Sequence, residues 1–286
     1  MKLNYSCLPC LVNQVVKVAE MTNAADREGL FGKVFRFLSN LSFTETNPEI
    51  IGEIFDLLKQ HTGNDDPYSE TRIFYNRLFM SMMDDFTRRI SRETDVFSET
   101  VKYAILGNII DFNPIHNSSM EDIMAWFDNA ATANLTINHT EKLKSSIESG
   151  SRLLYLGDNC GEICLDMLLI KEIKRLNPLI EIYFGVRGKA IVNDSIEEDA
   201  YFVGMDKYAK IISNGDGSMG TVLSRCSEEF KNAYNEADIV IAKGQANYES
   251  LFEDRKKNIF FLLVTKCDVI SKYIGVPEKS LICSCF

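Results

Sequence analysis

The chain has 286 residues, 45% of them hydrophobic, and a formal net charge of -10. That is enough apolar material for one large domain or two ordinary ones, and the acidic balance, with no basic tract interleaved with aromatics, argues against nucleic acid and anionic membranes as partners. No apolar run reaches membrane-spanning length and none succeeds Met1-Lys2-Leu3-Asn4-Tyr5 as in a signal peptide, so the expected setting is the cytoplasm.

From about Leu11 to Gly150 the pattern is helical. Apolar residues recur at three and four positions through Ile50, Ile51, Ile54, Leu57 and Leu58, and again through Phe74, Leu78, Met82 and Phe86. Breaks fall at Asn47-Pro48, Gly63-Asn64-Asp65-Asp66-Pro67 and Asn113-Pro114. Residues 1–150 therefore read as an all-α region, either a separate cap or packed directly on the second half of the chain, with the single tryptophan, Trp126, as a core residue.

After Gly150 short apolar runs alternate with helical segments, the signature of a mostly parallel, doubly wound (Rossmann-like) sheet over residues 151–286. Five strands are expected: Leu153–Leu156, Glu181–Val186, Lys210–Ser213, Asp238–Ala242 and Ile259–Val264. The helices between them are expected at Glu162–Leu176, Ser195–Val203, Thr221–Asn235 and Tyr248–Phe252. If the strand order reverses after the third strand, the first and fourth become neighbours and their ends flank one crevice.

In such a sheet, function collects at the carboxyl ends of the strands, where helix amino termini point free N–H groups outward. Each expected strand ends in a polar cluster: Gly157-Asp158-Asn159-Cys160-Gly161-Glu162, Arg187-Gly188-Lys189 through Asn193-Asp194, Asn214-Gly215-Asp216, Lys243-Gly244-Gln245-Ala246-Asn247 and Lys266-Cys267-Asp268. Asp158, Asn159 and Asp194 supply two carboxylates and an amide carbonyl, a donor set for a hard divalent cation that leaves room for water and phosphate oxygens. The same residue types also cap helices, and Asp216 between glycines also suits a plain turn. Lys243, beside a glycine at a strand end, is placed to hold phosphate as a point charge or to serve as an ordinary surface lysine. Arg187, Asp216, Asn247 and, from the helical half, Asn108 are the further candidates for substrate contact, and Glu162 or Asp216 for proton transfer should metal binding lower the basicity of Asp158. A dinucleotide site is poorly supported, because Gly157–Gly161 lacks the Gly-x-Gly-x-x-Gly spacing; methyl transfer from S-adenosylmethionine stays open on fold grounds alone.

Taken together, the run Gly157–Glu162, Asn193-Asp194, Lys243–Glu249 and Leu262–Lys266 with Gly275-Val276-Pro277 resembles the damage-control phosphatases, a family that also includes a protein proposed to methylate acidic side chains. Cys7-Leu8-Pro9-Cys10 with Gln14, and Gly107-Asn108-Ile109-Ile110-Asp111, are similar to features of its cysteine-containing prokaryotic branch, so the resemblance spans nearly the whole chain. It implies a phosphatase dependent on manganese, cobalt, nickel or magnesium, acting on sugar phosphates or damaged phosphometabolites. Asp158, Asn159 and Asp194 match the family's metal ligands and Lys243 a lysine of its substrate pocket. The family pattern has glycine where this chain has Ala246.

Eight cysteines are too sparse for a disulfide scaffold, and Cys164, Cys226 and Cys267 fall in or beside regular structure as reduced residues. Cys7 and Cys10 with Cys283 and Cys285 would make a four-thiolate zinc set if the ends met; a redox pair, a non-catalytic thiol module and plain buried thiols are the alternatives. His61, His116 and His139 lack the spaced partner a zinc pair requires and read as surface or capping residues.

Overall fold

A computed structural model describes residues 1–109, 120–254 and 257–285. Ile110, Asp111, Asn113, Pro114 and His116 lie outside the described residues, as does the side chain of Trp126. The helical half comprises α1 (Leu8–Met21), α2 (Arg27–Ser39), α3 (Asn47–Thr62), α4 (Ser69–Ile90), α5 (Val96–Leu106) and α6 (Met120–Ala131). A two-residue strand, β1 (Ile137–Asn138), and α7 (Thr140–Ser149) precede the α/β portion. That portion runs β2 (Arg152–Leu156), α8 (Glu162–Leu176), β3 (Glu181–Val186), α9 (Glu197–Val203), β4 (Lys210–Ser213), α10 (Glu228–Glu236), β5 (Ile239–Lys243), α11 (Gly244–Leu251), β6 (Ile259–Val264), α12 (Asp268–Ile274) and β7 (Leu281–Cys285).

The start of α3 shows how local chemistry sets these boundaries. Thr46 and Glu49 form a reciprocal capping box, with the Thr46 backbone N–H donating to Glu49 Oε2 at 2.7 Å, and Pro48 occupies the first turn, where no N–H is needed. Gly63, in the left-handed region at φ 69°, ends the helix. Ile50, Ile51, Ile54 and Leu58 of the expected stripe are buried. On α4 the stripe is rotated: Phe74 is 40% exposed, and the buried face is instead Tyr75, Asn76, Phe79, Met82 and Phe86.

The strand order is β1-β7-β6-β5-β2-β3-β4, parallel except where β7 runs antiparallel to β6. Strands β2 to β4 build outward in one direction and β5 returns to the other side of β2, so the expected reversal is present and the β2–β5 junction is the switch point. Two elements went unforeseen in the sheet: β7, and β1, which makes the first half not purely helical. Residues 221–227 are not helical; α10 begins only after Ser227, whose side chain caps it by accepting the Phe230 N–H. The segment expected as Tyr248–Phe252 begins earlier, at Gly244, directly off β5.

The helical half packs directly on the sheet. One core cluster joins Tyr75, Phe79 and Phe86 of α4 and Val101 and Ile105 of α5 to Ile163 and Leu165 of α8 and to Leu153, Tyr155 and Leu262 of the sheet. The alternate residues Leu154, Leu156, Val240, Phe261 and Leu263 pack on the opposite face against Phe230 and Tyr248, as the two-residue strand period requires. Helices α1 to α3 share a third cluster that reaches Ile191, in the loop after β3. Among the described residues no helix is long and apolar enough to cross a membrane.

Glu249 on α11 is 4% exposed, and one of its carboxyl oxygens has no hydrogen-bond partner among the described residues. Burial pushes its carboxyl up to about 7 from an ordinary 4.5, only partly offset by Gln245, which donates at 3.2 Å, by the Asn47 side chain and by the N-terminal ammonium. A raised acid pKa favours the folded state while the group is protonated and penalises it once ionised, so this contribution is lost as pH rises from about 4.5 through about 7. The loss is on the order of 3 kcal/mol. Glu249→Gln is expected to remove it, making denaturant stability between pH 5 and 8 flatter than in the wild type; parallel profiles would show that Glu249 is not strained.

Candidate active site

The loops after β2 and β3 are stitched together backbone to backbone. An isolated antiparallel bridge pairs Asn159 with Asp194; the Ser195 N–H donates to the Asp158 carbonyl at 2.7 Å and the Cys160 N–H to the Asn193 carbonyl at 2.9 Å. Asp158, Asn159 and Asp194, read from sequence as a donor set, are thereby brought side by side.

Two amides then knit the first loop to α8. Asn108 Nδ2 donates to Asp158 Oδ2 at 2.9 Å and Glu162 Oε2 at 3.0 Å, and Asn159 Nδ2 donates to the same two oxygens at 2.8 and 3.0 Å. Arg187, 2% exposed, donates through Nε to Asp194 Oδ2 at 2.7 Å and through its terminal nitrogen to Asp158 Oδ1 at 3.4 Å. Asn193 Nδ2 donates to Asn159 Oδ1 at 2.8 Å. Gly244 completes the enclosure: at φ 77° it sits so close that a Cβ would lie 1.9 Å from Asp158 Oδ2.

Lys243 lies beneath this layer. Its side chain shares the sheet face of Ile239 and Ile241, is fully buried, and donates to Glu162 Oε1 at 2.7 Å, to the Ala104 carbonyl at 2.8 Å, and to Asp166 Oδ1. All three ammonium hydrogens are therefore used inside the protein, where a direct phosphate contact was expected. Burial opposes its charge, but Asp166 and Glu162 prevail and raise its pKa. Burial likewise works to raise the Glu162 carboxyl, and the ammonium overrides it, so Glu162 is lowered and ionised. Both Glu162 oxygens already accept, which makes it a positioning group rather than the proton acceptor expected from sequence.

Two other sequence candidates also take up internal bonds. Asn247 is fully buried, donating to the Gly157 and Lys243 carbonyls and accepting from Thr221 Oγ1. Asp216 lies in a turn with its carboxylate accepting the Ser218 N–H, joined to the site through its carbonyl, which accepts the Gly188 N–H.

The four buried carboxylates Asp158, Glu162, Asp166 and Asp194 face two buried cations, Arg187 and Lys243. Burial, then Asp194 and Glu162, push Asp158 up to about 8, and burial raises Asp194 despite Arg187. Asp194 Oδ1, wholly buried, has no hydrogen-bond partner among the described residues, and Asp158 Oδ1 has only the long Arg187 contact. With the carbonyl of Asn159, these oxygens fit a divalent, oxygen-preferring cation. Lys266, two residues beyond β6, is exposed and opposes the rise of both Asp158 and Asp194 without overcoming it. It belongs to the polar cluster after the fifth expected strand, but only the fold distinguishes it from other surface lysines.

The terminal cysteines do not assemble. Cys283 and Cys285 are buried on β7, whereas Cys7 and Cys10, at the start of α1, have Cys267 and Glu249 as their electrostatic neighbours. Burial is the first cause raising both Cys7 and Cys10, which disfavours the thiolate that zinc or redox chemistry needs. All eight cysteines are reduced, and among the described residues no group of three or more His, Cys, Asp or Glu side chains forms a metal cage.

Residues 3–282 match the family model described as the damage-control phosphatase ARMT1-like domain. The sequence is 33% identical to a damage-control phosphatase of Pyrococcus horikoshii, over 99% of this chain and 98% of that protein. It is 32% identical to a damage-control phosphatase of Archaeoglobus fulgidus over the same shares. The fold superposes on the crystal structure of a DUF89 family protein from Pyrococcus horikoshii with a TM-score of 0.92 at 32% identity, covering 100% of this chain and 99% of that one.

Gly244→Ala is expected to force Asp158 aside and to strain the left-handed turn, which alone costs about 1–2 kcal/mol. Denaturant unfolding, run with and without manganese, checks this: the variant should lose stability and also lose stabilisation by the ion. Equal stability and an equal manganese response would contradict the close approach.

Proposed function

Since the chain belongs to the damage-control phosphatase ARMT1-like family, we propose that it hydrolyses small phosphomonoesters, sugar phosphates or damaged phosphometabolites, using a divalent cation held by Asp158, Asn159 and Asp194. The observation that carries this reading is geometric: Asp158 and Asp194 converge side by side at the switch point, and the wholly buried Asp194 Oδ1 is left without a hydrogen-bond partner among the described residues. Magnesium and manganese suit such a donor set, and cobalt and nickel are the further candidates that the family resemblance implies.

When bound, the ion supplies Lewis-acid polarisation of the phosphoryl group and an acidified water for in-line attack. Arg187 holds Asp194 by Oδ2 and so leaves Oδ1 for the ion. Asn108, with Glu162, fixes the rotamer of Asp158. Lys243 keeps Glu162 ionised from below without reaching the substrate. Lys266 is the exposed cation we assign to the phosphate, balancing the charge that builds as the ester bond breaks. A chain of net charge -10 with a local pole of positive charge here fits a small cytoplasmic metabolite better than a nucleic acid or lipid surface.

Phosphate release from a panel of sugar phosphates and phosphopantetheine-like esters, with each of the four metals, tests the proposal. Release should need metal, stop on chelation, and fall on the order of 100-fold or more in Asp194→Ala, as the loss of several kcal/mol of metal stabilisation implies. Lys266→Ala should chiefly raise KM. Release that survives chelation and Asp194→Ala would defeat the metal mechanism.

A further inference from the structure

A second polar network, outside the carboxylate layer, touches both ligand-bearing loops. Asn76 on α4 is fully buried; its Oδ1 accepts the Gly161 N–H at 2.7 Å and its Nδ2 donates to Asp199 Oδ1 at 3.2 Å. Asp199, on α9, accepts the Ile196 N–H at 3.1 Å and Arg72 Nε at 2.9 Å, both at Oδ2. The terminal nitrogens of Arg72 fork onto the carboxylate of Asp66, each at 2.6 Å.

The two ends of this network fall at equivalent places. Gly161 lies two residues beyond Asn159, and Ile196 two residues beyond Asp194. Gly161 has φ 80°, and a Cβ on it would meet Phe79 and Tyr75 at 3.1 Å, so α4 grips that turn by packing as well as by the Asn76 hydrogen bond. Two buried side chains in series thus join the start of α8 to the start of α9.

We infer that Asn76 and Asp199, anchored by Arg72, are positioning residues that set the spacing between the Asp158–Asn159 loop and the Asp194 loop, and through it the affinity for the divalent ion. The inference rests on the metal-dependent reading above. Asn76 acts through the Gly161 peptide and Asp199, with the buried Cys160 thiol between the loops contacting both side chains. The helical half thereby becomes part of the active site's construction.

The test is manganese titration of the full-length chain, with KM, kcat and metal-free melting temperature measured alongside. Asn76→Leu, which removes both hydrogen bonds, should weaken manganese binding about 10-fold to 100-fold, the range for groups that orient ligands. Asn76→Asp keeps an acceptor for Gly161 but sets a carboxylate against Asp199, and should weaken binding too. Combining Asn76→Asp with Asp199→Asn restores a donor opposite an acceptor at unchanged charge, and should recover affinity to within about 3-fold of wild type. A merely structural role would move the melting temperature without this rescue of affinity. Wild-type affinity in either single variant, or no rescue by the swap, overturns the inference, whereas failure of the wild type to bind manganese overturns the metal reading itself.

Discussion

A lysine ammonium buried at the end of a central strand sets the terms for everything around it. Without partners, Lys243 would be intolerable in the interior; with Glu162 and Asp166 one helical turn apart on α8, it becomes a fixed cation. That pairing dictates that α8 present its first turn to β5, which brings the Asp158–Gly161 loop over the switch point. It also leaves Glu162 Oε2 free to take the amides of Asn108 and Asn159. Removing one member of such a buried pair typically costs about 3–5 kcal/mol, because the other is stranded.

The same arrangement is what the proposed divalent ion would answer. Lys243 is committed downward, and Arg187 is shared between Asp194 and Asp158. Burial, with Asp194 and Glu162 beside it, pushes Asp158 up to about 8, so its ionised form lacks a close cation of its own. Lys266, just beyond β6, is an exposed cation that acts on this layer from the outside.

Much of this was legible in the sequence for definite reasons. Strands β3, β4 and β6 kept their expected bounds because each is an apolar run closed by polar residues, and Asp158, Asn159 and Asp194 could be singled out because strand ends converge at a switch point. The direction of Lys243 was not legible from loop position; its shared phase with Ile239 and Ile241, read against Glu162 and Asp166 four apart on a helix, was the available signal. Strand β1 is too short to leave a pattern, and β7, Leu281–Cys285, is a brief apolar run at the end of the chain. The late start of α10 was signalled by Ser227 before Glu228 and Glu229, a cap followed by acidic residues. Asn76 and Arg72 escaped notice because a stripe drawn through Phe74 and Leu78 puts the wrong face of α4 inward. A buried polar residue on an amphipathic helix is visible only once its partners from distant loops are known.

The most direct test of the central claim is to locate the ion. Crystals grown with manganese, measured at wavelengths on either side of its absorption edge, should show one anomalous peak bounded by Asp158, Asn159 and Asp194, with oxygens at about 2.1 Å as small divalent ions require. A peak elsewhere, or a manganese-saturated protein with no peak between these loops, would contradict the account.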